Sequence, residues 1–289
     1  MPGMLPMTAP SVAMPTSLTE ALGALADHGP GAVPLAGGTW IMRSPLRREG
    51  FAPAYVGLSR VAELGKINVT PDTIEIGAAV THARLAEALE GLPEVAALAF
   101  AAGNSANPAI RNVATLGGNL CARGFAAADL VPALLCLDAL VEVAGASATN
   151  RVGLADFLMH RDRLLQGSVL TRMILPRCGR PSAHARLPLR KAGDYPVAIV
   201  SMAAGIDGSG RIETSRIAVG SVEPVARRWT ALEDALAGQP LDPARASDIA
   251  RSLTTGFSGR EAVEAPGWYR VQVLPTLVGR AVAALASQA

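Results

Sequence analysis

The chain has 289 residues, half of them apolar and 17% charged, with a formal net charge of +2. At roughly 100 to 200 residues per domain, that length predicts two domains with a core that needs no disulfide or metal staple. The composition excludes a disordered chain, and the lack of any dense Lys/Arg run excludes a nucleic-acid surface.

The first residues, Met1 to Thr16, are rich in Pro and Met but lack the basic start and apolar core of a signal peptide. Ser17-Leu-Thr-Glu20 predicts a capped helix that stops at His28-Gly29. Ala32 to Leu35 predicts a strand running into Ala36-Gly37-Gly38-Thr39, and Ala54 to Leu58 and Thr73 to Ala79 predict two more. Thr81 is expected to cap a helix to about Leu89, followed by a second helix over Glu94 to Ala102. Gly103 to Asn112 reads as a polar loop, and Thr115-Leu116-Gly117-Gly118-Asn119 as a second glycine turn.

A helix is expected from Leu130, then strands over Leu140 to Val143 and Val169 to Leu175. Pro176 to Ser182 reads as a linker. Beyond it, Tyr195 to Ile206 and Arg211 to Gly220 predict a hairpin turning at Asp207-Gly-Ser-Gly210. Three helical stretches follow, Trp229 to Ala237, Asp242 to Thr254 and Tyr269 to Ala286, the last broken or kinked by Pro275.

The most apolar stretch, Leu130 to Ala146, is interrupted by Pro132, Asp138 and Glu142 and is shorter than the ~20 residues a membrane span needs. Cys121, Cys136 and Cys178 share no CxxC spacing, so this chain alone is expected to hold neither a zinc ion nor an iron–sulfur cluster. A sparse, odd cysteine count fits a reducing compartment. The expected location is therefore the cytoplasm.

Two glycine pairs carry what chemistry the residues suggest. Without a Cβ, Gly37-Gly38 and Gly117-Gly118 allow tight turns and let backbone N–H groups approach an anion. Thr39, Thr115 and Asn119 add hydroxyl and amide groups suited to phosphate or ribose oxygens. Each pair also reads simply as a turn, and neither is a P-loop or a GxGxxG sequence. Asp129, just before Leu130-Val-Pro132, reads as a helix cap that is also able to face a ribose hydroxyl. His28, His82, His160 and His184 show no ligand spacing and read as surface or internally satisfied residues. With no nucleophile motif present, catalytic residues are not expected here, and any redox chemistry falls to a bound cofactor.

Ala36-Gly-Gly-Thr39, Ile110-Arg-Asn-Val-Ala-Thr-Leu-Gly-Gly-Asn119, Asp129 before Pro-Ala-Leu-Leu, and Arg190-Lys-Ala-Gly-Asp-Tyr195 occur in one order. Together they resemble the FAD-binding medium subunit of the molybdenum hydroxylases, the xanthine dehydrogenase and carbon monoxide dehydrogenase flavoprotein family. The resemblance runs from about Ser17 to Ala286. It implies an α+β fold: a two-lobed FAD-binding domain of the PCMH type over 1–177, with sub-lobes of about 1–60 and 61–177, then a smaller α+β domain of antiparallel sheet plus helices over 178–289.

The same resemblance implies that Ala36, Gly37, Gly38, Thr39 and Trp40, with Thr115, Leu116, Gly117, Gly118 and Asn119, clasp the FAD pyrophosphate through backbone amides. It places Asp129 on the adenosine side, Ser105 and Leu170 near the isoalloxazine, and Tyr195 flanking that ring. Trp40 departs from the family pattern, either packing on the cofactor or filling core. Leu187 stands where many members carry lysine, and the loop Leu120 to Ala128 is one residue longer than is common. The implied role is to pass electrons from a [2Fe–2S] subunit through FAD to an external acceptor, beside a molybdopterin subunit, in a heterotrimer or its dimer. A self-sufficient FAD oxidase or reductase, and a flavin-free structural subunit, are the alternatives.

Overall fold

The computed structural model describes residues 10–189 and 195–288. Its first lobe is a three-stranded parallel sheet, β1 (Ser11–Ala13), β2 (Ala32–Leu35) and β3 (Ala54–Gly57), in the order β1-β3-β2. Helix α1 (Leu18–His28) packs Ala21 and Leu25 against Val56 and Leu58, and the Ser17 side chain accepts from the Glu20 N–H as expected of a cap.

The second lobe is a five-stranded antiparallel sheet in the order β4-β5-β8-β6-β7. Its strands are β4 (Ile67–Val69), β5 (Thr73–Gly77), β6 (Leu140–Ala144), β7 (Thr149–Gly153) and β8 (Val169–Pro176). Helices α2 (His82–Ala88), α3 (Ala96–Asn104), α4 (Pro108–Arg111), α5 (Leu116–Cys121) and α6 (Leu130–Cys136) lie between β5 and β6, and α7 (Leu154–Leu164) follows β7. Every residue of α6 is buried, which makes it the central rod of the molecule.

The third unit is an antiparallel sheet in the order β12-β11-β10-β9, built from β9 (Ser182–Pro188), β10 (Pro196–Ile206), β11 (Ile212–Gly220) and β12 (Arg227–Arg228). Helices α8 (Thr230–Leu236), α9 (Pro243–Ser252), α10 (Gly267–Gln272) and α11 (Leu274–Ala286) follow. Leu232, Ala246, Leu277 and Val282 from three of them share one core with Ala198, Val200 and Ile217 of the sheet. The opposite face supplies Ala203 and Ala218 to the core of the second lobe. Alternation along β9 follows this division: Ala183, Ala185 and Leu187 turn to the helices, whereas Ser182 and Arg186 bond to the second lobe.

Several expectations need correction. The second glycine turn is the first turn of α5, with Thr115 as its cap. The polar loop over Gly103 to Asn112 contains the single turn α4, and α7 and β7 were not foreseen. The last helical stretch breaks at Val273, so that Pro275 falls in the first turn of α11, where its missing N–H costs nothing. Asp129 is not a side-chain cap: it has helical dihedrals and makes no capping bond. No helix among the described residues is long and apolar enough to cross a membrane.

Candidate functional site

The two glycine segments meet. A Cβ on Gly37 would lie 1.8 Å from the Val113 carbonyl oxygen, so only glycine lets the end of β2 touch the strand-like entry to α5. Gly38 has φ +69°, a left-handed turn that redirects the chain into the 3₁₀ segment Ile41–Arg47, where Met42 N–H donates to Gly38 O. The N–H groups of Gly37, Gly38, Thr39 and Trp40 have no acceptor among the described residues.

The second segment differs. Leu116 N–H donates to Val80 O, Gly117 N–H to Ala78 O, Gly118 N–H to Thr115 Oγ1 and Asn119 N–H to Thr115 O, all at 2.8 to 3.1 Å. These amides are spent on building α5 against the β5–α2 connection, which corrects the expectation that both segments offer free amides to a diphosphate. Thr115, Leu116 and Gly117 are buried and form a floor; Gly118 is exposed, and Asn119 Oδ1 is buried without a partner. The free donors therefore come from the Gly37–Trp40 side.

Ser105 ends α3, half-buried, with its hydroxyl 2.7 Å from His82 Nδ1 and donating to Ala102 O at 3.2 Å. His82 opens α2 beneath it, 3% exposed, with Nε2 unpartnered. Burial pushes its pKa down to about 4 despite the Asp129 carboxylate nearby, so the ring is neutral at neutral pH. His184 is likewise buried, bonded through Nδ1 to Ser201 Oγ at 2.8 Å and unpartnered at Nε2. Neither of these two histidines lies on the surface, and each is bonded internally through Nδ1 with Nε2 left over. What the sequence did offer was their setting, His82 directly after a capping threonine and His184 on a strand.

Asp129 is 2% exposed and accepts from Arg186 Nε at 2.8 Å, with Arg186 Nη2 at 3.4 Å and His184 Nε2 at 3.9 Å. It joins the core of the second lobe to β9 instead of capping α6. Leu170 does not reach a cleft either. A bulge at Thr171, where Thr171 Oγ1 donates to Glu142, turns Leu170 onto the same face as Met173 and Leu175, and it lies in the core at 4% exposure.

Trp40 packs on Phe125, 4.5 Å away centroid to centroid, and the Arg47 guanidinium lies 4.0 Å from its ring. Its Nε1 donates to Arg123 O, pinning the first lobe to the loop after α5. Trp40 is therefore held by contacts within the protein and is half-buried. Tyr195 meets Phe125 edge-on at 5.3 Å and its hydroxyl accepts from Arg43 at 2.5 Å. Burial raises the Tyr195 phenol above its ordinary value even with Arg43 and Arg47 opposing it, so it stays protonated. Arg43, Arg47, Phe125 and Arg186 were not foreseen. The motif residues Arg190, Lys191, Ala192, Gly193 and Asp194 lie outside the described residues. Leu187 packs with the helices of the third unit, away from Asp129.

This donor set suits FAD. Four free N–H groups and nearby arginines answer a diphosphate, and the unpartnered Asn119 Oδ1 answers a hydroxyl or N–H donor.

Comparison with known proteins agrees. The profile of the FAD binding domain in molybdopterin dehydrogenase matches residues 7–178, and that of the CO dehydrogenase flavoprotein C-terminal domain matches 184–285. The chain is 30% identical over 270 residues to the alpha subunit of the 6-hydroxypseudooxynicotine dehydrogenase complex of Paenarthrobacter nicotinovorans, covering 92% of this chain and 91% of that one. It is 29% identical to the carbon monoxide dehydrogenase medium chain of Afipia carboxidovorans, covering 93% of each. Among solved structures, quinoline 2-oxidoreductase from Pseudomonas putida 86 superposes with a TM-score of 0.88 at 27% identity, over 98% of this chain and 99% of that one. Carbon monoxide dehydrogenase from Hydrogenophaga pseudoflava gives 0.85 at 25% identity, again over 98% and 99%.

Proposed function

The chain belongs to the FAD-binding medium subunits of the molybdenum hydroxylases, and we propose that it carries electrons from a partner [2Fe–2S] subunit, through FAD, to an external acceptor. The complex would also hold a molybdopterin subunit, where substrate is hydroxylated, and would work in the cytoplasm as a heterotrimer or its dimer. We divide the chain into an FAD-binding domain over 1–177 and a C-terminal flavoprotein domain over 178–289.

FAD, when bound, supplies the electron-accepting and electron-donating chemistry. The chain supplies its seat. Gly37, Gly38, Thr39 and Trp40 would direct their N–H groups to the diphosphate, with Ala36 completing the turn. Thr115, Leu116 and Gly117 support that turn from behind, and Gly118 leaves the approach open while Asn119 offers its side-chain amide. Ser105 would face the isoalloxazine from the end of α3. Tyr195, protonated and held by Arg43, would flank the same ring and keep water from it.

The observation that carries this reading is the set of free N–H groups at the Gly37–Val113 junction. Native mass spectrometry of the complex from its source cell, followed by acid extraction of the flavin, tests it. One non-covalent FAD per chain together with an iron–sulfur chain and a molybdopterin chain is the expected result. A flavin-free chain, or a lone monomer that turns over an organic substrate, would overturn it.

A further inference from the structure

The contact between His82 and Ser105 fixes where the serine proton goes. Ser105 has one hydroxyl proton, and two groups able to accept it lie against Oγ, Ala102 O at 3.2 Å and His82 Nδ1 at 2.7 Å. In either tautomer of His82 the proton is directed into the protein, to Ala102 O when the ring donates and to Nδ1 when the ring accepts. His82 cannot turn away to change this. Its own N–H is tied to Ala114 O at 2.9 Å, Thr81 caps the helix it opens, and the ring is buried. An oxygen lone pair of Ser105 remains at the half-buried surface at the end of α3.

We propose that His82 is a positioning residue for the flavin, which locks Ser105 so that it presents an oxygen lone pair, and no proton, to an N–H of the isoalloxazine. This rests on the proposal that FAD lies against Ser105. It assigns a role to a histidine that touches no cofactor itself and acts only through the serine.

The test uses the complete complex purified with its partner chains. His82→Leu and His82→Asn have the same number of side-chain heavy atoms and both lose the imidazole packing, but Asn keeps a hydrogen-bonding amide near the place of Nδ1. Dissociation of FAD, the visible absorption bands of the bound flavin and its midpoint potential are measured for both, for Ser105→Ala, and for His82→Leu combined with Ser105→Ala. His82→Leu is expected to weaken FAD about three- to tenfold, the worth of one net hydrogen bond, and to shift the flavin bands and potential. Asn should restore both. The double variant should match Ser105→Ala alone.

Additive effects in the double variant, equal defects in Leu and Asn, or a Ser105→Ala complex with unaltered flavin bands would each overturn the proposal while wild-type complex still carries FAD. Wild-type complex without FAD would instead remove the reading on which it stands.

Discussion

Asp129 and Arg186 stand 57 residues apart in the chain and 2.8 Å apart in space, carboxylate oxygen to guanidinium nitrogen. Both side chains are nearly buried, at 3% and 10% exposure, and they lie on opposite sides of the joint between α6 and β9. Breaking a buried, hydrogen-bonded ion pair typically costs about 3 to 5 kcal/mol. A lost helix cap costs about 1 kcal/mol. Asp129→Asn is therefore expected to lower the unfolding free energy by about 3 kcal/mol in denaturant titration. A loss of 1 kcal/mol or less would return Asp129 to the role of a cap.

The glycine positions separate by what stands behind them. At Gly37 an added Cβ meets the backbone carbonyl of Val113, whereas at Gly118 it meets only the Thr115 hydroxyl at 2.9 Å. Gly37→Ala should force the two segments apart and leave protein with little extractable flavin, while Gly118→Ala should keep at least half the wild-type content. Equal flavin content in the two variants would contradict this geometry.

His82 makes stability depend on pH. Its folded pKa of about 4 lies below the ordinary histidine value of 6.5. Between those values the unfolded chain takes up a proton that the folded chain refuses, so falling pH favours unfolding. The gap corresponds to about 3 kcal/mol of stability, present in full above pH 6.5 and lost on descending to pH 4. Unfolding midpoints measured across that range should fall less steeply for His82→Leu than for wild type.

Asp138, at φ +51°, receives Arg180, Arg216 and Arg228 at 3.4, 3.2 and 2.9 Å. All three arginines belong to the linker or the C-terminal sheet, so one carboxylate of the second lobe gathers them. The cluster is about one-third exposed, and screening holds its worth to about 1 to 2 kcal/mol. Asp138→Asn, which tolerates the same backbone angles, should lose that amount at low salt and much less at high salt. Salt-independent loss would mean that the charges are not responsible.

Local signals were the readable part of this sequence. Ser17 and Thr81 cap helices, Asp207 to Gly210 turns a hairpin, and a proline interrupts the last helix, because each depends on neighbours within a few residues. The glycine pairs and their order were visible as well. What was hidden depends on tertiary contact. Periodicity does not distinguish a buried histidine from a surface one, so the burial of His82 and His184 was not legible. One bulged residue, Thr171, turns Leu170 into the core beside Met173 and Leu175. Arg47 and Phe125 reach Trp40 from different lobes. Asp129 was readable as a helix start but not as the partner of an arginine on a distant strand.

The alternation along β9 has an evolutionary corollary. Ser182 and Arg186 share one side of the strand, while Ala183, Ala185 and Leu187 share the other. A single codon gained or lost within the strand would invert this parity downstream, placing leucine before the Asp129 carboxylate and a guanidinium among the helices. Length changes should accordingly be purged from β9, while the Asp207–Gly210 tip, anchored only to itself and Arg211, is free to grow or shrink between lineages.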